Sequence, residues 1–350
     1  MESNSQTQLR CLGLNYRTAP VAVRERFAVP RSGLVQGNAA IAALQGVQEC
    51  VLLSTCNRTE IYYWTESPDS AHRNIMSYFF GGEIPSEVSS ACFYDYQSES
   101  ALEHLACVAA GLDSMVVGET EIFGQLKEAY RAAQEAGSTS TAANRTFQRV
   151  FSVGKKVRTE TQITSGPTSL GAVAVQLAGR ALGNLQGANV LVVGAGEIAR
   201  STAQSLRSRG AESIFVANRS YDRALLLAEQ VGGKVIRFAE WIPYLEKIDI
   251  VIVSTAAPVY VVTADVLSAV LAARSQRALF LIDLSVPRNV DPACAVLPGV
   301  HLYDIDDMQG IVSDTHCRRA SQIEQGRGII RDWLQENAPD ILHRNAVLLT

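Results

Sequence analysis

Four segments in the second half of the chain, "ANVLVVGAGEIARSTAQSLRSRG", "AESIFVANRS", "KIDIVIVSTAAP" and "RALFLIDLSVP", each carry a short, wholly apolar run, with helical stretches between them. A strand without polar alternation must be covered on both faces, which a parallel sheet flanked by helices achieves. This half therefore reads as a doubly wound α/β unit.

Gly194, Gly196 and Ala199 form G-x-G-x-x-A directly after the strand "VLVVG" and before a helix, with Ala195, Glu197 and Ile198 completing the loop. The first glycine makes the tight turn, the second lets a pyrophosphate reach the backbone, and the small third residue packs helix on strand. The triplet alone is a weak signal, but strand and helix flank it as a dinucleotide site requires. The next strand ends in Asn218 and Arg219, where an acidic residue would take the ribose hydroxyls of NAD. A neutral residue followed by a cation suits a 2′-phosphate, so NADPH is the expected cofactor. The plainer alternative makes Arg219 a solvated residue at a helix start.

The first half has another character. A strand over residues 9–14 ends at Thr18, Ala19 and Pro20, and a helix follows. "VQECVLLST" makes a second strand, and Glu60 to Trp64 return beside it, so Cys56 sits in the turn between two strands. Helical spacing runs from Ser98 to Gln134 with a break at "GLDSMVVGETEIFG", and "NRTFQRVFSVGKKVRTET" is a further amphipathic helix. Breakers at Ser165, Gly166 and Pro167 mark a boundary. The expected division is a catalytic α+β domain over 1–162, a Rossmann-type domain over 163–306, and a connecting segment over 307–350. Its helical pattern runs from about Asp307 to Glu336 and is interrupted at Gly326 and Gly328.

At 350 residues, two domains and a short third piece are expected. A net charge of −4 gives no global attraction to nucleic acid, so any such contact needs a local basic patch. "MESNSQTQLR" has no signal-peptide core and no later stretch suits a membrane span, which places the protein in the cytoplasm with no membrane partner. Seven scattered cysteines show neither CxxC pairs nor zinc-ligand spacing, so they read as reduced thiols, with no metal site expected.

"LLSTCNRTEIYY" interrupts an apolar run with Ser54, Thr55, Cys56, Asn57 and Arg58. A cysteine that attacks an acyl group makes a thioester, which accepts hydride to give an aldehyde. Arg58, two residues on, and the N–H groups of the turn are expected to lower the pKa of Cys56. Cysteine also serves as a small hydrophobe, a reading that suits Cys50, Cys92 and Cys107 better than one in a polar turn. His104 lies on a helix with an apolar face, where spacing alone favours a packed or solvated residue.

Together, and in this order, "GLNYRTAPVAVRERF", "LSTCNRTEIY", "AGLDSMVVGETEIFGQLKEAY", "VGKKVRTET", "VVGAGE", "ANRS" and "LIDLSVPRNVDP" resemble the glutamyl-tRNA reductases of the bacterial and plant haem pathway. The resemblance covers roughly residues 8–335. It implies that Cys56 attacks the ester of glutamyl-tRNA, leaving a glutamyl thioester that NADPH reduces to glutamate-1-semialdehyde, at the head of tetrapyrrole biosynthesis. It also implies catalytic roles for Cys56 and His104, and substrate contacts from Thr55, Asn57, Arg58, Ser114, Glu119, Thr120, Glu121 and Gln125. Arg58 is the natural partner of a substrate carboxylate, a role that competes with lowering the pKa of Cys56, and the sequence leaves both open. Glutamate-1-semialdehyde aminomutase is a candidate partner.

The chain departs from the family pattern in places. "GETEIFGQ" stands where the family usually reads "GEPQILGQ", so Glu121 adds a carboxylate that either points away or alters substrate affinity. Tyr16 replaces a histidine. About fifteen residues follow Gln335, where the family continues into a helical dimerisation domain, so the homodimer is left open. For tRNA, Arg145, Arg149 and Lys156 fall within about 40° on one helix and form a basic stripe. Two other readings stand beside the main one. One is a shikimate-dehydrogenase-like NADP oxidoreductase, which leaves the Cys56 turn unexplained; the other is a tRNA-binding regulatory homologue without turnover.

Overall fold

A computed structural model describes residues 7–80, 90–164, 169–183, 185–211, 213–274 and 277–343. The chain divides into two compact units, Met1–Gly166 with His316–Thr350, and Pro167–Thr315. The breakers at Ser165, Gly166 and Pro167 lie outside the described residues.

The first unit is built on an antiparallel sheet of β1 (Gln8–Asn15), β2 (Glu49–Ser54), β3 (Arg58–Thr65) and β4 (Tyr94–Gln97), in the order β2-β3-β1-β4. Helices α1 (Val21–Phe27), α2 (Leu34–Ala42), α3 (Pro68–Phe80), α4 (Ser98–Ala110), α5 (Glu121–Glu135) and α6 (Thr141–Glu160) complete this part of the chain. Every residue of β3 is buried because both faces of the sheet are covered. Tyr62 and Trp64 enter one core with Leu102, Leu105, Leu126 and Phe147 from α4, α5 and α6. Ile61 and Tyr63, one step out of phase, enter another with Leu34 and Ile41 of α2. The period of two thus puts Arg58 and Glu60 on the α4 side with Tyr62. Gly13 of β1 lies opposite Glu60, and a Cβ there would come 2.7 Å from Glu60 Cγ. This glycine leaves the room that the carboxylate occupies.

The second unit is a six-stranded parallel sheet of β5 (Asn189–Val193), β6 (Ser213–Asn218), β7 (Lys234–Arg237), β8 (Ile250–Val253), β9 (Leu279–Asp283) and β10 (Val300–Tyr303), in the order β10-β9-β8-β5-β6-β7. This is the doubly wound dinucleotide-binding order, with its switch point between β5 and β8. Its helices are α7 (Leu170–Leu182), α8 (Glu197–Ser208), α9 (Tyr221–Val231), α10 (Trp241–Tyr244) and α11 (Ala264–Leu271). The wholly apolar strands read from sequence are β5, β6, β8 and β9, and β8 is buried at every position.

The last helix, α12 (Gln309–His343), runs through both Gly326 and Gly328, correcting the expected interruption. A Cβ at Gly326 would lie 3.1 Å from side-chain carbons of both Leu112 and Val157, so the glycine serves close packing and does not break the helix. The expected basic stripe needs correcting too. Arg149 pairs with Asp340 at 2.8 Å and donates to Asn337 Oδ1 at 2.6 Å, both on α12, and is not a free phosphate contact. Among the described residues, no helix is long and apolar enough to cross a membrane. Cys11, Cys50, Cys56, Cys92, Cys107 and Cys294 are unpaired.

Candidate active site and dinucleotide site

β2 and β3 pair up to Ser54 and Thr59, so the residues between them form a short hairpin with Cys56 at its tip. Thr55 holds the tip in shape. Its N–H donates to the Arg58 carbonyl at 2.8 Å, and its Oγ1 accepts from the N–H groups of Asn57 and Arg58 at 3.1 and 3.2 Å. Cys56 itself is half-buried. Burial pushes its thiol up to about 12, Glu119 and Glu121 add to the rise, and Arg24 opposes it.

Arg58 is not the group that acts on the thiol, contrary to the sequence expectation. The strand alternation turns its side chain to the α4 face, where it is buried. There Nη1 donates to Glu60 Oε1 at 2.6 Å, and Nη2 donates to the Asp113 carbonyl at 2.6 Å and to Asp113 Oδ2 at 2.9 Å. Asp113 also pairs with Arg17.

Glu60 is the hub of this network. Besides Arg58, it accepts from Tyr62 at 2.6 Å and Tyr94 at 2.5 Å, and it lies 2.8 Å from His104 Nε2. Burial works to raise this carboxyl, but Arg58, His104 and Tyr62 together hold it well below the usual carboxylate range. His104, packed among the rings of Tyr62, Tyr94 and Tyr96, is thereby linked to Arg58 through one buried carboxylate. Cys11, Glu60 and His104 bring their ligand atoms within 4.8 Å of one another, as a metal site would. However, both Glu60 oxygens already accept from Arg58 and tyrosine hydroxyls, and burial holds the Cys11 thiol well above its usual pKa. A cation would have to displace Arg58, so the cluster is better described as a hydrogen-bond hub.

The segment after α4 supplies the other side. Ser114 and Glu119 are buried. Burial raises the Glu119 carboxyl, and Ser114, Arg58 and Arg158 oppose it only in part. The Ser114 hydroxyl lies beside Glu119 without the geometry of a regular hydrogen bond, and Asn57 Oδ1, also buried, has no partner among the described residues. Buried polar atoms left without a partner are costly, and a polar ligand that reached them would satisfy them. Glu121, half-buried at the start of α5, adds to the rise of the Cys56 pKa. Thr120 is exposed at the start of α5, and Gln125 is half-buried one turn further on.

Sequence reasoning missed Glu60, Asp113, Arg24 and Arg158. The period of two in "RTEIYYW" carried the signal for Glu60: it places a cation and a carboxylate on one face of a fully buried strand, where each requires the other. Asp113, Arg24 and Arg158 come from distant segments and gave no such local sign.

In the second unit, Gly194 has φ +123°, and a Cβ there would lie 1.9 Å from the Ser254 carbonyl, at the end of β8. Only glycine fits that turn at the switch point. Gly196 begins α8, and a Cβ on it would meet nothing within 4 Å, which leaves open space against the helix start for a pyrophosphate. Ala199 is fully buried, whereas Glu197 is exposed and Ala195 and Ile198 are half-buried. Asn218 ends β6, its Nδ2 donating to the Ser220 carbonyl at 3.0 Å, and Arg219 is exposed beside it. The residues present fit a dinucleotide.

A parallel dinucleotide-binding unit, joined in one chain to an α+β unit with a thiol at a hairpin tip, defines a nicotinamide-dependent oxidoreductase. Residues 12–161 match the family model for the glutamyl-tRNA reductase N-terminal domain, and residues 176–311 that for shikimate / quinate 5-dehydrogenase. The glutamyl-tRNA reductase of Akkermansia muciniphila is 50% identical over 94% of this chain and 97% of its own, and that of Desulforudis audaxviator 45% over 88% and 69%. The solved glutamyl-tRNA reductase of Methanopyrus kandleri is 33% identical, with a TM-score of 0.50 over 96% of this chain and 81% of that one. The chain belongs to the glutamyl-tRNA reductase family. The likeness to shikimate dehydrogenase is confined to the nucleotide-binding unit.

Proposed function

We propose that the chain reduces glutamyl-tRNA to glutamate-1-semialdehyde through a thioester on Cys56, the entry to tetrapyrrole synthesis, with NADPH as reductant. The observation that carries this reading is the position of Cys56, at a polar hairpin tip beside Glu119, with the unsatisfied Asn57 and Ser114 oxygens close by in the fold.

In the first step the Cys56 sulfur attacks the ester carbonyl, the carbon–oxygen bond to the ribose breaks, and the thiol proton ends on the departing hydroxyl of the tRNA. A thiol held near 12 cannot ionise in advance at neutral pH. Its proton therefore moves as the bond forms, and Glu119 is the acceptor proposed for it. Thr55 fixes the tip, Asn57 and Ser114 meet polar atoms of the glutamyl group, and Thr120, Glu121 and Gln125 line the approach from α5. Arg58, 1% exposed and bonded to Glu60 and Asp113, braces the hairpin from behind, and the substrate contact that the family pattern implies for it would require Asp113 to move aside. His104, held by Glu60, stands on the same network as a proton carrier for the second step.

When bound, NADPH supplies the hydride that turns the thioester into the aldehyde and returns the thiol. Gly194 and Gly196 admit the pyrophosphate, with Ala195, Glu197, Ile198 and Ala199 around it at the start of α8. Arg219 beside Asn218 supports the phosphorylated cofactor over NADH. Glutamate-1-semialdehyde aminomutase, which would consume the aldehyde, remains the proposed partner, and a cytoplasmic setting suits these substrates.

The test is formation of the aldehyde from glutamyl-tRNA. The proposal requires that omission of NADPH and the Cys56→Ser substitution each abolish it. Aldehyde formed by Cys56→Ser, or tight tRNA binding without product in the wild type, would overturn it.

A further inference from the structure

α5 and α6 carry a surface that the thiol site does not use. Lys127 Nζ lies 4.5 Å from the ring centre of Phe123 and 5.9 Å from that of Phe151, and Arg158 Cζ lies 5.5 Å from the centre of Phe123. The two rings meet edge to face at 5.8 Å. Phe123 and Lys127 are four apart on α5, and Phe151, Lys155 and Arg158 follow one face of α6 at i, i+4 and i+7. Both rings are half-buried, while Lys127 and Lys155 are exposed.

Cations capping aromatic faces are often no more than surface packing. One atom here resists that account: Arg158 Nη1 is buried and has no hydrogen-bond partner among the described residues. A buried guanidinium nitrogen left without a partner is costly, and it asks for an anion. The surface starts on the same helix as a residue of the thiol site, Glu121 at the start of α5. Phe123 follows Glu121 by two residues, and Arg158 acts on Glu119, and both of these carboxyls act on Cys56.

We infer that this α5–α6 surface holds the unpaired 3′ end of the aminoacyl-tRNA, with Lys127 leaving the face of Phe123 for a phosphate so that a base stacks there, and with Arg158 and Lys155 as further phosphate contacts. The inference rests on the reading of Cys56 as nucleophile. The ester it attacks sits on the last ribose, so the last bases and phosphates must lie on surface adjoining the thiol. Aromatic faces accept any unstacked base, and interspersed cations follow the backbone. A duplex offers no such exposed base faces. The charge pattern agrees. Glu128, beside Lys127, is neutralised by Arg31. Phe123 stands where the family pattern reads leucine, so Phe123→Leu removes the platform while keeping an apolar side chain.

The experiment compares two acyl donors for Cys56 in the full chain without NADPH: glutamyl-tRNA and the α-thiobenzyl ester of glutamate, which carries no nucleotide. Phe123→Leu is expected to raise the half-saturating glutamyl-tRNA concentration about fivefold or more, the loss of one stacked base. Lys127→Ala with Lys155→Ala is expected to raise it about tenfold and to flatten the slope of log affinity against log salt by about 1.4, two single-strand phosphate contacts. In both cases the loss falls on the tRNA donor and not on the thioester. Unchanged tRNA half-saturation and salt slope, or equal losses with both donors, would overturn the inference. Wild-type protein acylated by neither donor would overturn the nucleophile reading beneath it.

Discussion

Arg58 and Glu60, two residues apart on β3, form an ion pair of 2.6 Å in which the side chains are 1% and 0% exposed. Neither charge has access to water, so each depends on the other and on the tyrosines and histidine around Glu60. Removing one partner leaves the other charge buried and uncompensated.

Glu60→Gln is therefore expected to cost about 3–5 kcal/mol of stability in urea unfolding, and to lower turnover because both Arg58 and His104 lose their anchor. The pH dependence has a definite sign. The folded pKa of Glu60 lies below its unfolded value, so its contribution is fully present above the unfolded pKa and is lost as pH falls through the folded one. The stability gap between wild type and variant should stay constant above about pH 5 and shrink below about pH 4.3.

The thiol of Cys56 gives a second prediction. Held up to about 12 by burial, Glu119 and Glu121, it is almost wholly protonated at neutral pH. Alkylation of Cys56 by iodoacetamide should rise about tenfold per pH unit from pH 7 to pH 9 without a plateau. Glu121→Gln, which restores the side chain usual in the family, should speed alkylation at pH 7. A plateau near pH 8 in the wild type would contradict this account.

The parts of this site that were legible in the sequence are those set by near neighbours. The hairpin tip at Cys56 follows from two apolar runs around a polar turn, and the cofactor loop from a glycine pair between strand and helix. β4, β7 and β10 are each four residues long and carry at most one buried position, so they lacked a clear apolar signature. The role of His104 was not legible, because the sheet register and the docking of α4 decide that it meets Glu60. The error over Arg58 has the same origin. Proximity in sequence to Cys56 suggested an effect on the thiol, but strand alternation sent the guanidinium to the opposite task.

A third prediction concerns Gly194. With φ at +123° and the Ser254 carbonyl 1.9 Å from where a Cβ would sit, Gly194→Ala must distort the turn between β5 and α8. Quenching of protein fluorescence by NADPH should weaken at least tenfold, while acylation of Cys56 by glutamyl-tRNA persists, since the thiol belongs to the other unit. Wild-type NADPH affinity in this variant would count against the assignment of the loop.

Arg149 supplies a fourth. Because it is committed to Asn337 and Asp340, Arg149→Ala should leave the salt dependence of tRNA binding unchanged. Its side chain is 42% exposed, so the stability lost should be only about 0.5 kcal/mol. A flattened salt slope would return this residue to the nucleic-acid surface.

The most direct test of the central claim is a single turnover with radiolabelled glutamyl-tRNA and no NADPH, followed by denaturing separation. The proposed mechanism predicts label on the protein that hydroxylamine removes and that Cys56→Ser abolishes. A folded protein that binds the tRNA yet carries no label, or label that survives Cys56→Ser, would contradict it.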